Sequence, residues 1–379
     1  MVAHAVAPAA NSNGAALLPP KVALVLGGGG LKGFAHIGVL RAFAERGVRP
    51  SVVVGTSIGA LIGAAYVGGM PFAEMEERAL ALTKRDIFRI DHFSMVAKRM
   101  LSPSLYHARP LEKLVEDIVP TGTFRELSMP LLINTVDLEN ACQVLWGLPG
   151  LQDVPVAQAV YASCALPGFF PPAIVGGRTC ADGGVIDNVP AVPAAHGMDA
   201  VIAVDVGSTN IARARRIKEK GFATIYTRAA QIMMNTLQKH ALQNWLGPPI
   251  LLVRPAVWHF NLFSFANVAR MIELGYESAN HALDRVGAAL LSGGGVWPRR
   301  LVEVRVDREK CIGCTLCAAL APRMMTMGQD GKAQVLASPV EWSRADGDFV
   351  HQCPTEAIIV EAIEPTGSRR TLERPALEE

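Results

Sequence analysis

The sequence predicts an α/β fold, a three-layer α/β/α domain over residues 21–297, followed by a small cysteine-bearing module over residues 298–364. Three observations carry that reading. Short, wholly apolar runs such as Val22–Leu26 and Val52–Val54 stop at glycines, as strands buried on both faces of a parallel sheet do. Between them lie stretches with helical apolar spacing, such as Ile37, Leu40 and Phe43. Past Ser292–Gly295 and Pro298 the pattern changes to an alternating run and a cluster of cysteines.

Length and composition agree with two domains. The chain has 379 residues, 50% hydrophobic and 18% charged, enough to build a substantial core. A formal net charge of +2 leaves no electrostatic footprint for nucleic acid, and no such partner is expected. Residues 1–20 are rich in Ala, Asn and Pro and lack the charged start and apolar core of a secretory signal, so a disordered leader is expected. Cytoplasm is then the default compartment, and the seven cysteines read as metal ligands or small core residues rather than disulfides.

The first strand, Val22–Leu26, runs into Gly27–Gly30, Leu31, Lys32 and Gly33. A loop without side chains at its apex lets backbone N–H groups approach an anion at the start of the next helix. That helix spans Phe34–Arg46 and stops at Gly47. The second strand then enters Gly55-Thr56-Ser57-Ile58-Gly59, a G-x-S-x-G elbow whose glycines relieve crowding around a strained serine. Ser57 is the candidate nucleophile. The helix Ile58–Val67 would point its N-terminus at a developing oxyanion, adding to donors from Gly28, Gly29 and Gly30.

Two rival readings bear on this stretch. Val52–Met70 is apolar enough to suggest a membrane span, which its glycines and strand-to-turn switch oppose. Gly28–Gly33 also fits G-x-G-x-x-G, a dinucleotide loop, but the acidic residue expected at the end of the second strand is replaced by Gly55-Thr56-Ser57.

Further along, a helix begins at Pro71, and Lys84–Met100 mixes cationic with apolar residues, suiting either an interfacial membrane contact or an amphipathic element packed on the sheet. Leu111–Val119 reads as a helix, and Met129–Val136 and Ala141–Trp146 as strands. The helix Val156–Ala165 ends at Pro167-Gly168, ahead of Phe169 and Phe170, which suit an acyl pocket or simple core packing. Asp182-Gly183-Gly184 follows a short strand, and an Asp-Gly pair by itself is ordinary turn chemistry. Val201–Asp205 and Leu251–Val253 complete the strands, with helices over Arg216–Leu246 and Ala266–Leu291.

The glycine loop paired with the serine elbow resembles the patatin-like phospholipase family. Gly28–Gly33 and Gly55–Gly59 match its two motifs, with Lys32 at the basic position, and Pro167–Pro172 and Asp182–Val185 look like its later blocks, so the resemblance covers about residues 20–295. It implies that Asp182 is the base partner of Ser57 in a Ser–Asp dyad without histidine. It also implies hydrolysis of acyl esters, with phospholipid or lysophospholipid as substrate, while contact with the inner face of a membrane is the expectation that the cationic, apolar segment Lys84–Met100 raises. His36 then reads as a structural helix residue. A histidine triad would instead draw on His196, His240 or His259, none of which has motif context.

The second module carries Cys311, Cys314 and Cys317 in a C-x₂-C-x₂-C run, with Cys353-Pro354 far downstream. Three close thiolates wrap one side of a cluster and a remote fourth closes it. Residues 301–363 resemble the bacterial ferredoxins, which implies a small α+β domain. The position of a further ligand in two-cluster members is Ala321, ahead of Pro322, so one 4Fe–4S cluster is expected. A Cys₄ zinc site is the alternative. The cluster's expected role is electron transfer to a redox partner, redox sensing, or support of the fold. Residues 365–379 are expected to be a disordered tail. Two other functions stay open: a redox protein whose hydrolase-like domain only binds lipid or a partner, and a nucleotide-dependent oxidoreductase using the glycine loop.

Overall fold

The computed structural model describes residues 21–89, 104–207, 247–291, 300–342, 349–350, 353–363 and 369–371, with scattered positions between 219 and 237. The leader, the domain boundary near 297, His240, most of Lys84–Met100 and much of Arg216–Leu246 lie outside the described residues.

The larger domain is built on an eight-stranded mixed sheet. In chain order its elements are β1 (Val22–Leu26), α1 (Ala35–Glu45), β2 (Val52–Thr56), α2 (Ile58–Val67), α3 (Phe72–Ala81), α4 (Lys84–Ile87) and α5 (Ala108–Ile118). There follow β3 (Leu131–Asp137), β4 (Cys142–Trp146), α6 (Val156–Cys164), β5 (Ala173–Val175), β6 (Arg178–Asp182), β7 (Ala200–Val204), β8 (Ile250–Val253) and α7 (Val268–Leu291). Strands run in the order β5-β6-β3-β2-β1-β7-β8, with β4 also on β3. The strands from β3 to β8 in that order are parallel, and β4, β5 and β6 are antiparallel additions.

The period of two along a strand decides which core each side chain joins. Val22, Leu24 and Leu26 pack with α1, α2 and α7, whereas Ala23 and Val25 pack with Ala191, Ala194 and Ala195 on the other face. Both faces are covered, as the apolar strands require. The membrane-span reading of 52–70 gives way to a strand and a ten-residue helix, and no described helix is long and apolar enough to cross a membrane.

The smaller domain has β9 (Arg300–Val306), α8 (Leu316–Leu320), β10 (Met325–Met327), β11 (Ala333–Val335), β12 (Val340–Trp342), β13 (Ile358–Ile363) and β14 (Arg369–Thr371). β12, β9, β13 and β14 form one sheet, and β10 and β11 form a hairpin. The tail expected to be disordered therefore contributes a strand, since Arg369–Thr371 pair with Glu361–Ile363. A three-residue strand in a short hairpin of this kind leaves no mark in composition.

Candidate active site and candidate cluster site

Ser57 sits between β2 and α2 at φ 55° and ψ −124°, the strained conformation of an elbow. The helix rises so close to β1 that a Cβ on Gly59 would lie 2.1 Å from the Leu26 carbonyl oxygen. The Ser57 N–H donates to Ser163 Oγ at 2.8 Å, and Ser163 Oγ donates to the Asn134 carbonyl at 2.7 Å. Two neighbouring residues of β3 align the strand ends that carry the chemistry. Thr56 lies opposite Asn134, and Asp182, the last residue of β6, lies opposite Thr135.

That register brings Ser57 near Asp182, and both side chains line one cavity. Asp182 Oδ1 accepts the Gly184 N–H at 2.8 Å. Burial pushes the Asp182 carboxyl up to about 6, against the lowering effect of the Gly184 N–H and the nearby Ser57 hydroxyl. A carboxylate with that proton affinity is ionised at neutral pH, yet a better base than an exposed one.

The glycine loop lies directly beside the serine, since a Cβ on Gly28 would reach Ser57 Cβ at 3.2 Å. The three expected donors are not equivalent. The Gly28 N–H donates to the Asn188 carbonyl at 3.2 Å, and Leu31 N–H donates to the Leu262 carbonyl at 2.8 Å. Gly29 and Gly30 are thus the loop positions whose N–H groups have no backbone acceptor among the described residues. Gly28, expected as a third donor, directs its N–H at the Asn188 carbonyl in this structure.

Three residues that hold the site escaped the sequence reading. Asn188 Nδ2 donates to the Gly28 carbonyl at 3.0 Å, tying the glycine loop to the turn after Asp182. Asn134 Nδ2 reaches the Asp187 carbonyl at 2.7 Å and Thr56 Oγ1 at 3.2 Å, and its Oδ1 accepts Gln143 Nε2 at 2.9 Å. Ser163 completes the set. Only Asn134 left a trace in sequence, as an amide inside a run of apolar strand residues, where a buried polar group must have partners.

The histidine expectation holds for His36. It is fully buried, its Nε2 bonds the Gly27 carbonyl at 2.8 Å, and burial drives its pKa down to about 4. Among the described residues no histidine lines the cavity around Ser57.

That cavity has a volume of about 520 Å³ and is walled mainly by apolar side chains, including Phe169 and Phe170. Ser57, Asp182 and the glycine loop form its polar end. Phe88 packs against Tyr106, Phe170, Phe263 and Phe265, joining four segments into one wall. Lys32 also lines it, with burial lowering its proton affinity and Asp205 opposing that effect. Cys164, read from sequence as a core residue, lines it too, its thiol pushed up by burial and then by the Asp182 charge.

Residues 24–195 match the model of the patatin-like phospholipase family, and residues 304–360 match that of a 4Fe-4S single cluster domain. The chain carries a patatin-like phospholipase domain joined to a single-cluster domain. An uncharacterized NTE family protein of Mycobacterium tuberculosis is 36% identical over 197 residues, covering 52% of each chain. Patatin-like phospholipase domain-containing protein 7 of Rattus norvegicus is 28% identical over 292 residues, covering 69% of this chain and 20% of its own. VipD from Legionella pneumophila aligns at a TM-score of 0.42 and 16% identity, over 73% of this chain and 69% of its own. The chain spans about half the length of the mycobacterial relatives it matches.

In the single-cluster domain Cys311, Cys314, Cys317 and Cys353 all line one small cavity. The Ala333 N–H points to Cys311 Sγ at 3.4 Å and the Ala357 N–H to Cys353 Sγ at 3.3 Å. Burial raises the Cys353 thiol, but hydrogen bonds from Thr355, Ala357 and Ile358 outweigh it and hold the group below its usual value. A tetrahedral zinc ion would draw its sulfurs to within about 3.8 Å of each other. Among the described residues no three His, Cys, Asp or Glu side chains are grouped to hold a single ion. Four thiols lining a shared cavity, with N–H groups aimed at two sulfurs, are a donor set that fits a cluster taking one thiolate per iron.

Proposed function

We propose that the patatin domain is a serine acyl-ester hydrolase acting on phospholipid or lysophospholipid, with Ser57 as nucleophile and Asp182 as its base. The observation that carries this reading is the placement of Ser57 at a strained elbow and of a buried Asp182 in the same largely apolar cavity. Asp182 takes the hydroxyl proton as Ser57 Oγ attacks the ester carbonyl carbon, and the new oxyanion accepts the Gly29 and Gly30 N–H groups. The carbon–oxygen bond to the alcohol then breaks, and Asp182 returns the proton to that alcohol. Water next gives a proton to Asp182 while its oxygen attacks the acyl carbon. Fatty acid leaves, and the proton passes back to Ser57 Oγ.

The match to the patatin-like phospholipases supports the lipid substrate class, and the cavity's apolar walls suit an acyl chain. Because such a substrate is drawn from a lipid surface, the proposal includes peripheral contact with the cytoplasmic face of a membrane. Cys311, Cys314, Cys317 and Cys353 would hold one 4Fe–4S cluster, which when bound supplies one-electron chemistry or rigidity. The dinucleotide reading has less support, since the glycine loop faces a serine elbow and Asn188 rather than an acidic ribose partner.

The test is hydrolysis of phospholipid and lysophospholipid by the full chain, isolated anaerobically. Ser57→Ala and Asp182→Asn should each lower kcat/KM by roughly a thousandfold or more, and the double variant no further, because both act in one proton transfer. Near-normal turnover by either variant would overturn the dyad.

A further inference from the structure

We infer that the acyl chain lies along α2, away from Ser57, and that Ala65 and Ala79 set how long a chain the site accepts. This rests on the hydrolase reading for its chemistry, but the geometry stands by itself.

Ile58, Leu61, Ile62 and Ala65 line the cavity at helical spacing, so the cavity follows one face of α2 from the residue after Ser57 to its last turn. Seven residues of helix span about 10 Å. The facing wall is α5, where Leu111, Leu114 and Ile118 also recur at helical spacing. The two helices end together, because Pro120, just past α5, packs against Gly68 at the end of α2, 3.0 Å from where a Cβ would lie. Ile118 and Ala65 therefore belong to the deep end. Met70, two residues beyond Gly68, lines the cavity there as well.

The third wall runs back toward the entrance. From Met70 the chain turns into α3, which contributes Met75 and Ala79, then Leu82 and α4 with Ile87 and Phe88. Phe88 packs on Phe263, whose neighbour Leu262 accepts the Leu31 N–H of the glycine loop, so Phe88 marks the catalytic end. Ala79 thus lies at middle depth and Ala65 near the bottom. Both are buried and small, on walls otherwise lined mainly by Leu, Ile and Met, with Arg78 lining the cavity beside Ala79. Enlarging either side chain closes the bore at a different depth.

The experiment uses saturated fatty acids, the product class, displacing a fluorescent fatty acid from the full-length protein. While an added carbon still finds buried space, affinity should tighten by about fourfold. Past the end of the bore the gain should stop. Ala65→Leu should stop it at a shorter chain than wild type, and Ala79→Leu at a shorter chain still. Met70→Ala should move the stop to a longer chain, which a merely damaged fold cannot do. Stops at one length in all four proteins, or in another order, would overturn the inference. If fatty acids obey this order but no ester is hydrolysed, the bore stands and the hydrolase reading falls.

Discussion

Burial decides what Asp182 can do. Its carboxyl is raised to about 6 chiefly by desolvation, and only the ionised form can take the serine proton. Ester turnover at low substrate should therefore climb as pH rises through about 6 and level above it, a limb read directly from kcat/KM against pH. The same shift has a cost in stability. A group whose folded pKa exceeds its unfolded value contributes stability that is full below the unfolded pKa and lost as pH rises through the folded one. Asp182→Asn should consequently stabilise the protein at pH 8, by on the order of 2 kcal/mol, and bring little gain at pH 4. Thermal melts at the two pH values check the sign, and an equal effect at both would count against a buried charge. At this scale a motif around each of Ser57 and Asp182 marked it in sequence as a candidate, and both line one cavity. The sequence was silent on Ser163 and Asn188, whose roles arise only once strands and turns distant in sequence meet. Nor does sequence show that the Gly28 N–H meets the Asn188 carbonyl, 160 residues away.

Elements were legible wherever local periodicity was strong. Val22–Leu26, Ile58–Val67 and Val156–Cys164 formed within a residue or two of expectation, since each carries its own apolar pattern and a clear stop. The strand Ala173–Val175, the hairpin of β10 and β11 and the strand Arg369–Thr371 were not anticipated. Three-residue strands have too little pattern to read, and pairing rather than propensity creates them. The active site depends on one such non-local arrangement, the register on β3, and Asn134 is its clamp. Asn134→Ala would leave the half-buried Asp187 carbonyl without its donor, at a cost of about 1 kcal/mol or more to the fold. Because the same side chain bonds Thr56, next to the nucleophile, kcat/KM should fall by more than tenfold even at temperatures where the variant is fully folded. Urea titration and kinetics on one preparation separate the two effects. Unchanged kcat/KM in a destabilised variant would make Asn134 a structural residue only.

At the scale of the whole molecule, two modules with unrelated chemistry share a chain, and the sequence announced both through punctuation. Glycines mark the hydrolase-like loops, and cysteines at short spacing mark the second module. Its small core makes that module the one whose fold should depend on metal. Val302, Val304, Trp342, Phe349 and Val360 are its main buried apolar residues, and Cys311 and Cys317 are buried among them. So few side chains supply limited hydrophobic stability, and ligand thiols inside the core tie the fold to whatever they bind. Anaerobic protein should accordingly contain about four iron and four sulfide per chain. Cys314→Ala should lose the visible absorption of the cluster and render residues 300–363 sensitive to protease. Protease resistance at residues 24–195 should persist, since their core contains none of the four cysteines. Stoichiometric zinc without iron after anaerobic isolation would overturn the cluster assignment. Where iron is present, comparing ester turnover before and after chemical reduction distinguishes the roles: a change assigns redox regulation, whereas equal turnover with reversible one-electron reduction assigns transfer to a partner. Equal turnover without reversible reduction leaves the cluster as the structural core of its own small domain.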